Sequence, residues 1–273
     1  MPEKPEVITV SRNLKEPLLG KEIQSVSVYW DNIIAYPSVL EFQEKIRNQT
    51  ILDITTRGKF LVFHLSKDVL LIHLRMEGKF LFRKEKEKRE KHEHVVFHMN
   101  HDISFRYCDV RKFGKMYLFS KEEAYSRKPL SELGLEFDSE SLTKNYLYNK
   151  IHKRTIPIKT VLLDQSVIAG IGNIYANEIL FFSHIHPSRK ASKISLKECE
   201  DIIKNTKNVL LKAIDLGGTT IRSFTSREGV HGNFQNELAV HGKDGKLCSC
   251  GEVIKKITVG GRGTYYCPMC QRK

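Results

Sequence analysis

Short apolar segments dominate the chain from residue 21 to about residue 120. They run for five to seven positions, are rich in β-branched and aromatic residues, and are separated by turn-like sequences. This pattern is typical of strands in an antiparallel sandwich or barrel. A first helix is predicted ahead of them, from about residue 7 to Gly20. The predicted strands are Ile23–Tyr29, Thr50–Thr56, Phe60–Leu65, Val69–Leu74, Lys79–Arg83, His94–Met99, Ile103–Tyr107 and Lys115–Phe119. The charged run Arg83–Lys91 is predicted to be a solvated loop.

The spacing of apolar residues becomes helical from about residue 138. Ser195 and Glu198 form a capping-box pattern, and Gly217-Gly218 ends the helix that follows. Its predicted core face includes Cys199. Two further helices are predicted at Ile158–Asp164 and Ile174–His184.

The segment 165–173 between those two helices is too long for a simple helix–turn–helix. Gly170 and Gly172 permit positive φ or the close approach of another chain. Asn173 is predicted to be an N-cap, and the helix N-terminus behind it offers N–H groups to a phosphate. A tight helical hairpin with no ligand explains the same residues equally well.

Composition favours a polyanionic partner. The 273 residues carry 45 Lys and Arg against 32 Asp and Glu, a net charge of +13, which favours nucleic acid over a membrane. The length suits two domains and a small appendage. No apolar run approaches the roughly 20 residues of a membrane span, and the N-terminus does not resemble a signal peptide. A soluble, intracellular protein is expected.

Four of the six cysteines crowd the last 26 residues. In a reducing compartment such a cluster indicates a metal more readily than disulfides. The segment 240–273 is also basic, with seven Lys and Arg against two acids. We therefore expect one structural zinc ion in a module that touches phosphates. Free or disulfide-bonded thiols are the alternative. The predicted ligands are Cys248, Cys250, Cys267 and Cys270.

The N-terminus reads Met1-Pro2-Glu3. Removal of Met1 would expose the secondary amine of Pro2, and an α-amino group titrates near pH ~8, against ~10.4 for a lysine. Attack of this amine on a sugar carbonyl carbon would give an iminium ion that cannot lose an N–H proton and so remains an electron sink. Glu3 is placed to transfer protons. A frayed polar terminus is the alternative.

Seven motifs together resemble the bacterial formamidopyrimidine-DNA glycosylases, a helix–two-turn–helix family of base-excision repair enzymes. The resemblance runs in order over essentially the whole chain. The motifs are the opening MPEKPEV, Arg57-Gly58-Lys59-Phe60, the run from His73 to Gly78, the run from Tyr107 to Gly114, Ala169–Tyr175, Gly217–Phe224 and Gly261–Cys270.

The resemblance implies an α+β fold of three domains. An N-terminal antiparallel β-sandwich with a leading helix would span 1–135, a helix–two-turn–helix domain 136–237, and a zinc-finger β-hairpin 238–273. The implied protein is a monomeric, cytoplasmic, nucleoid-associated bacterial enzyme. It would excise 8-oxoguanine and formamidopyrimidines from damaged double-stranded DNA and cleave the strand by β,δ-elimination.

The resemblance also implies site residues. Pro2 would be the nucleophile, Glu3 the acid that opens the deoxyribose, and Lys59 an assistant in base loss, with Arg262 grouped beside them as a phosphate contact. The residues implied to fill the gap left by the everted nucleotide are Met76, Arg111 and Phe113. Those implied to hold phosphates are His92, Lys153 and Asn173. Those implied to recognise the lesion are Glu77, Thr219 and Arg222, with Thr219–Phe224 acting as a lid.

The chain also departs from the family pattern. Lys4 stands where leucine is usual, Ile8 stands where glutamate is usual, and Cys248-Ser249-Cys250 is one residue shorter than Cys-x-x-Cys. The shortened half-site puts normal zinc affinity in doubt. A pyrimidine-directed endonuclease VIII-like glycosylase and a non-catalytic DNA-binding zinc protein of the same fold are the alternative readings.

Overall fold

A computed structural model describes residues 1–219 and 232–272, which form two compact units. The first unit comprises Met1–Ser131 and the described part of Gly217–Gly232. The second comprises Glu132–Leu216 and Asn233 onward. None of the described helices is long and apolar enough to cross a membrane.

The first unit is a sandwich of nine strands with two helices among its described residues. Helix α1 (Lys4–Leu18) precedes the sheet, and α2 (Val39–Ile46) lies between its second and third strands. The strands are β1 (Glu22–Val28), β2 (Ile34–Tyr36), β3 (Gln49–Arg57), β4 (Phe60–Leu65), β5 (Asp68–His73), β6 (Lys79–Lys84), β7 (Glu93–Met99), β8 (Ile103–Cys108) and β9 (Lys115–Ser120).

The strand order is β2-β9-β5-β4-β3-β1-β7-β8-β6. Strands β1 and β3 pair over only two positions, so this short ladder joins a five-stranded half to a four-stranded half. Phe63 of β4 nevertheless contacts Phe80 of β6 and Phe105 of β8, with ring centroids 6.5 and 6.2 Å apart. The two halves therefore face each other across one aromatic core, as the sandwich prediction requires.

Helix α1 covers this core with a regular apolar stripe. Val7, Val10, Leu14 and Leu18 recur every three or four residues and are all buried in the core cluster. Such spacing places them on one face of a helix. The helix begins at residue 4 rather than near residue 7, because Glu3 serves as its N-cap.

The second unit is helical and ends in a hairpin. Ser195 Oγ accepts from the N–H of Glu198, and the Glu198 carboxylate accepts from the N–H of Ser195, which confirms the capping box. Cys199 is buried on the apolar face, also as predicted. The elements are α3 (Lys144–Ile151), α4 (Ile158–Leu162), α5 (Asn173–Phe182), α6 (Leu196–Asp215), β10 (Lys255–Val259) and β11 (Arg262–Tyr266).

Three details differ from the sequence predictions. Gly172, not Asn173, is the N-cap of α5, and Asn173 is its first helical residue. The elements α2, α3 and β2 were not predicted, because each is short and lacks a strong period. Strand β2 pairs in parallel with β9, so the sandwich is not wholly antiparallel.

Candidate active site and nucleic-acid interface

The N-terminus enters the first unit as buried chain. Pro2 is buried, and Glu3 is only 2 % exposed. The N–H of Glu3 donates to Glu6 Oε2 at 2.9 Å, within a capping box at the start of α1. The predicted nucleophile and its neighbouring acid are thus held at a helix N-terminus and do not fray.

Glu6 links this terminus to the glycines after α6. Its Oε1 accepts from the N–H of Thr219 at 2.8 Å and from Thr219 Oγ1 at 3.1 Å. Gly218 lies at φ +80°, and a Cβ there would lie 2.8 Å from Glu6 Oε1, so a larger residue would disturb the contact. The sequence predictions missed Glu6, because Glu3 is not one of the Ser, Thr, Asp or Asn residues that usually precede a glutamate in a capping box.

The environment of the terminal amine favours its neutral form. Burial lowers the pKa of the Met1 α-amino group, and the charge of Lys59 lowers it further. The carboxylates of Glu3, Glu6 and Glu77 oppose this shift. Because desolvation dominates, an amine in this position is more nucleophilic at neutral pH than an exposed one.

Lys59 lies in the two-residue turn between β3 and β4, after Gly58 at φ +54°. It is only 6 % exposed. Phe60, its neighbour, pairs with His73 across β4 and β5. Burial, with the charges of Arg75 and Lys59, lowers the pKa of His73 to about 3. His73 is therefore neutral at pH 7, and its Nδ1 accepts from the N–H of Arg75 at 3.0 Å.

Lys4, the departure beside the predicted nucleophile, is also buried. Its Nζ donates to Thr56 Oγ1 at 3.0 Å. The ammonium group therefore points to strand β3, where a hydroxyl replaces part of its hydration.

Two loops carry the residues predicted to fill a gap in DNA. Met76 and Glu77 lie half-buried in a turn closed by a hydrogen bond from Gly78 N to Leu74 O at 3.0 Å. Arg111 is exposed in the loop after β8 and stacks over the ring of Phe113 at 4.8 Å. Phe113 is 49 % exposed. An aromatic ring left this open in a packed unit is available to stack on a partner.

His92 follows the charged loop Arg83–Lys91, whose backbone is held by hydrogen bonds that the prediction of a solvated loop did not include. The buried Arg106 guanidinium donates to Glu93 Oε2 at 3.0 Å and to the carbonyls of Lys84, Glu87 and Lys88. The loop backbone is therefore anchored, although most of its side chains are exposed. His92 itself is half-buried, with φ +81°.

The remaining predicted phosphate contacts lie in the second unit. Lys153 and Arg262 are exposed. Asn173 Nδ2 donates to the carbonyl of Gly263 at 3.1 Å, which ties α5 to the residue after Arg262. Arg222 and residues 220–224 of the predicted lid lie outside the described residues, whereas Thr219 is described and buried.

Two buried charges support the hairpin and the segment before it. Lys159 Nζ donates to Thr264 Oγ1 at 2.6 Å and to the carbonyl of Gly263 at 3.2 Å. The Glu178 carboxylate accepts from the N–H groups of Ala239, Val240 and His241 at 2.6 to 3.1 Å. Burial raises the pKa of Glu178, while these three N–H groups oppose the shift. The sequence predictions missed both residues, because each lies within an ordinary helical pattern.

The four clustered cysteines meet at one point. All four Sγ atoms lie within 4.8 Å of one another. The Cys248–Cys270 and Cys250–Cys267 separations are 3.9 and 3.5 Å. Zinc–sulfur bonds of about 2.3 Å in a tetrahedron place the sulfurs about 3.8 Å apart. The shortened Cys248-Ser249-Cys250 half-site therefore still presents both thiols at zinc spacing.

Comparison with known proteins covers the whole chain. Residues 1–116 match the formamidopyrimidine-DNA glycosylase N-terminal domain, 133–225 its H2TH domain, and 249–272 a zinc finger found in FPG and IleRS. The formamidopyrimidine-DNA glycosylase of Bacillus subtilis (strain 168) is 46 % identical over 100 % of both chains. The chain belongs to the formamidopyrimidine-DNA glycosylase family. It is accordingly a DNA glycosylase, as the sequence resemblance predicted.

Other members of the formamidopyrimidine-DNA glycosylase family agree with this. The enzyme of Oceanobacillus iheyensis is 43 % identical over 99 % of this chain and 98 % of its own. A Lactococcus lactis FPG mutant in complex with Fapy-dG-containing DNA superposes with a TM-score of 0.93 at 36 % identity, covering 100 % of both chains. The Lactococcus lactis Fpg in complex with abasic-site DNA superposes with a TM-score of 0.93 at 37 % identity, covering 99 % of this chain and 100 % of that one.

The zinc prediction is confirmed by the zinc-finger match and the cysteine geometry together. The protein has one structural zinc site, formed by Cys248, Cys250, Cys267 and Cys270. The match begins at residue 249, so Cys248 lies just outside it. Four thiolates leave no position for water, which makes the site structural rather than catalytic. The 16 residues between Cys250 and Cys267 form the predicted β-hairpin.

Proposed function

We propose that this chain excises oxidised purines, 8-oxoguanine and formamidopyrimidines, from damaged duplex DNA and then cleaves the strand at the abasic site. The observation that carries the proposal is the buried N-terminus, where Pro2 and Glu3 lie at the start of α1 and Lys59 is buried in the β3–β4 turn. Burial also lowers the pKa of the α-amino group of Met1, which precedes Pro2. The Lactococcus lactis relatives hold Fapy-dG and abasic DNA. Chromosomal DNA in the bacterial cytoplasm is the proposed substrate, and the protein acts as a monomer.

The proposed reaction begins after removal of Met1. The Pro2 nitrogen attacks C1′ of the damaged nucleotide, the N–C1′ bond forms, and the glycosidic bond breaks as the base leaves with a proton. Glu3 protonates O4′ as the C1′–O4′ bond opens, which leaves an iminium ion. Loss of a C2′ proton then expels the 3′ phosphate, and loss of a C4′ proton expels the 5′ phosphate.

Lys59 is the proposed assistant in base loss. Its ammonium is desolvated in the β3–β4 turn, and its charge acts on the terminal amine. A buried cation near the leaving base stabilises the negative charge that develops there. Glu77 and Thr219 are the proposed contacts to the everted base, and Glu6 holds Thr219 in place. Arg222 is proposed from the sequence resemblance alone.

The exposed loop residues are proposed to replace the everted nucleotide. An enzyme that acts on a base within a duplex must take it out of the stack, and inserted side chains then stabilise the gap. Met76 would act as the wedge, Arg111 would bond the orphaned cytosine, and Phe113 would stack. The 49 % exposure of Phe113 supports this role over a core role.

The proposed phosphate contacts are His92, Lys153, Asn173 and Arg262. Lys153 and Arg262 are exposed cations, as backbone contacts require. These residues would fix the register of the protein on DNA without reading sequence.

Borohydride trapping tests the proposal. Borohydride reduces an iminium to a stable amine, so protein incubated with an 8-oxoguanine duplex should form a covalent adduct at Pro2. Pro2→Gly should largely abolish the adduct, whereas Lys4→Leu, two residues further along the chain, should retain it. An adduct that mass spectrometry places on a lysine would contradict the assignment.

A further inference from the structure

Three loops of the first unit meet at two buried residues, Tyr107 and Asp109. We propose that Tyr107 and Asp109 are positioning residues that hold the loop of Met76 and the loop of Arg111 and Phe113 in one arrangement, ready to enter DNA. The inference rests on the proposed function of those three residues.

Asp109 builds the loop that follows β8. Its Oδ1 accepts from the N–H of Arg111 at 3.0 Å, and its Oδ2 accepts from Phe113 and Gly114 at 2.9 and 2.8 Å. The carboxylate is buried, and hydrogen bonds to an ionised acceptor are stronger than neutral ones. The Asp109 carboxylate therefore fixes the backbone on both sides of the exposed Phe113 ring.

Tyr107 brings a further donor to the same carboxylate. It is the last residue but one of β8, is fully buried, and donates its hydroxyl hydrogen to Asp109 Oδ2 at 3.2 Å. Burial and the nearby carboxylate raise the pKa of Tyr107, so the phenol stays protonated and remains a donor. Oδ2 thus accepts from one side chain and two backbone groups at once.

The phenol also reaches the Met76 loop. A Cβ on Gly78 would lie 2.3 Å from Tyr107 Oη, and a Cβ on Gly114 would lie 1.8 Å from it. Gly78 closes the turn that carries Met76 and Glu77. The hydroxyl is therefore packed between the backbones of both loops, and only glycine allows this approach.

A third segment is tied to the same residue. The N–H of Asp109 donates to the carbonyl of His92 at 3.0 Å, and His94 Nε2 donates to the carbonyl of Asp109 at 3.0 Å. The proposed phosphate contact at His92 is thus built on the same residue as the gap-filling loop.

Rigid placement matters because insertion must accompany unstacking of the target base. Side chains held in the inserted geometry spend little conformational entropy on insertion, whereas a small misplacement costs a large factor in rate. The Tyr107 hydroxyl should therefore affect excision of a stacked base more than reaction at an abasic site, which has no base to unstack.

Tyr107→Phe is the decisive variant, because it removes one oxygen and keeps the ring. We expect single-turnover excision of 8-oxoguanine opposite cytosine to slow by about tenfold or more. Borohydride trapping on a preformed abasic site should stay within about twofold of wild type. Ser11→Ala is the matched control, since it also removes a buried hydroxyl hydrogen bond in this unit, to Ile54 O at 2.7 Å, away from both loops.

The single tryptophan gives a readout that does not depend on activity. Lys112 Nζ lies 3.7 Å from the ring centroid of Trp30, and the N–H of Lys112 donates to Asp109 O at 3.3 Å. Tyr107→Phe should change Trp30 emission in the free protein, and Ser11→Ala should not. Asp109→Asn should change the Trp30 emission further, because the new amide NH₂ would face a backbone N–H of the loop instead of accepting from it.

The outcomes separate the hypotheses. Wild-type excision by Tyr107→Phe, or equal losses on both substrates accompanied by a matching fall in stability, would overturn the positioning role. If Asp109→Asn does not fold, Tyr107→Phe still decides the question. Absence of any trapped adduct with wild-type protein would instead refute the proposed function. In that case the change in Trp30 emission would still test whether the Tyr107 hydroxyl holds the loop.

Discussion

The proposed catalytic residues of the first unit and the proposed phosphate contacts of the second unit differ in exposure. In the first unit the proposed reactive groups are desolvated, and Glu3 and Lys59 are almost fully buried. In the second unit the proposed contacts Lys153 and Arg262 are exposed, whereas the buried Lys159 donates to Thr264 of the hairpin and the buried Glu178 accepts from the backbone N–H of Val240. Both units are charged, but the charge is used for different purposes.

The difference follows from what each task requires. Proton transfer and nucleophilic attack need groups whose pKa values are shifted by burial and by neighbouring charges. Phosphate contacts need solvated cations that approach a polyanion and release its counterions. Net charge, which the composition reports, does not distinguish these uses. Burial does.

The largest expected effect tests the buried catalytic residues proposed in the first unit. Glu3→Gln keeps the size of the side chain but removes its proton transfer, so excision should fall by about 10² to 10⁴-fold. Binding to damaged duplex should change little, since no phosphate contact is lost. Single-turnover excision and gel-shift titration measure the two quantities. A parallel loss of binding would mean that Glu3 acts through the fold of α1.

Loss of zinc should affect the second unit and leave the first unit folded. The zinc site supports the hairpin that carries Arg262, so chelation should weaken DNA binding by about tenfold while the first unit keeps its fold. Thermal melting, elemental analysis and binding titration check this. Cys248→Ser should behave like chelated protein, and Cys199→Ala, which removes a thiol outside the cluster, should not. Full cleavage by protein with well under one zinc per chain would contradict the prediction.

A smaller effect tests the exposed phosphate contacts proposed in the second unit. Arg262→Ala and Lys153→Ala should each weaken binding to damaged and undamaged duplex alike. Each should reduce the slope of log affinity against log salt by about 0.9, the value for one phosphate contact. Lys204→Ala, on the exposed side of α6, is the control and should leave the slope unchanged. Loss confined to damaged DNA would place Arg262 at the lesion instead.

The last test compares one buried histidine from each unit. Burial lowers the pKa of His73 to about 3 and that of His241 to about 4. The unfolded chain, with pKa near 6.5, takes up these protons first. As pH falls below about 6.5, each histidine should therefore reduce the free energy of unfolding by up to about 1.4 kcal/mol per pH unit. This loss should continue until the pH reaches the pKa of that histidine in the folded protein.

Urea unfolding between pH 7 and pH 5 measures this dependence, with the two units followed separately. His73→Gln should flatten the slope for the first unit, and His241→Gln should flatten it for the second. An unchanged slope in either variant would show that the histidine is already protonated in the folded protein.

Local pattern predicted the regular elements well. The strand Phe60–Leu65 was predicted at its observed bounds, and the capping box at Ser195 placed the start of α6, because both depend on neighbours within a few residues. The Asn173 cap was wrong since Gly172 takes that position. The roles proposed for Pro2 and Glu3 came from the chemistry of the N-terminus together with the motif resemblance, and that of Lys59 came from the resemblance; all three stay predictions.

The sequence by itself determined the family, the sandwich, the helical unit and the four thiols for zinc, because these follow from periodicity, capping and motif spacing. Only the tertiary structure placed Glu6 against Thr219, Lys159 against Thr264 and Tyr107 against Gly78 and Gly114. The first two pairs are 213 and 105 residues apart. Burial and long-range hydrogen bonds depend on how the chain folds back on itself, and no local pattern encodes which distant group will become the partner.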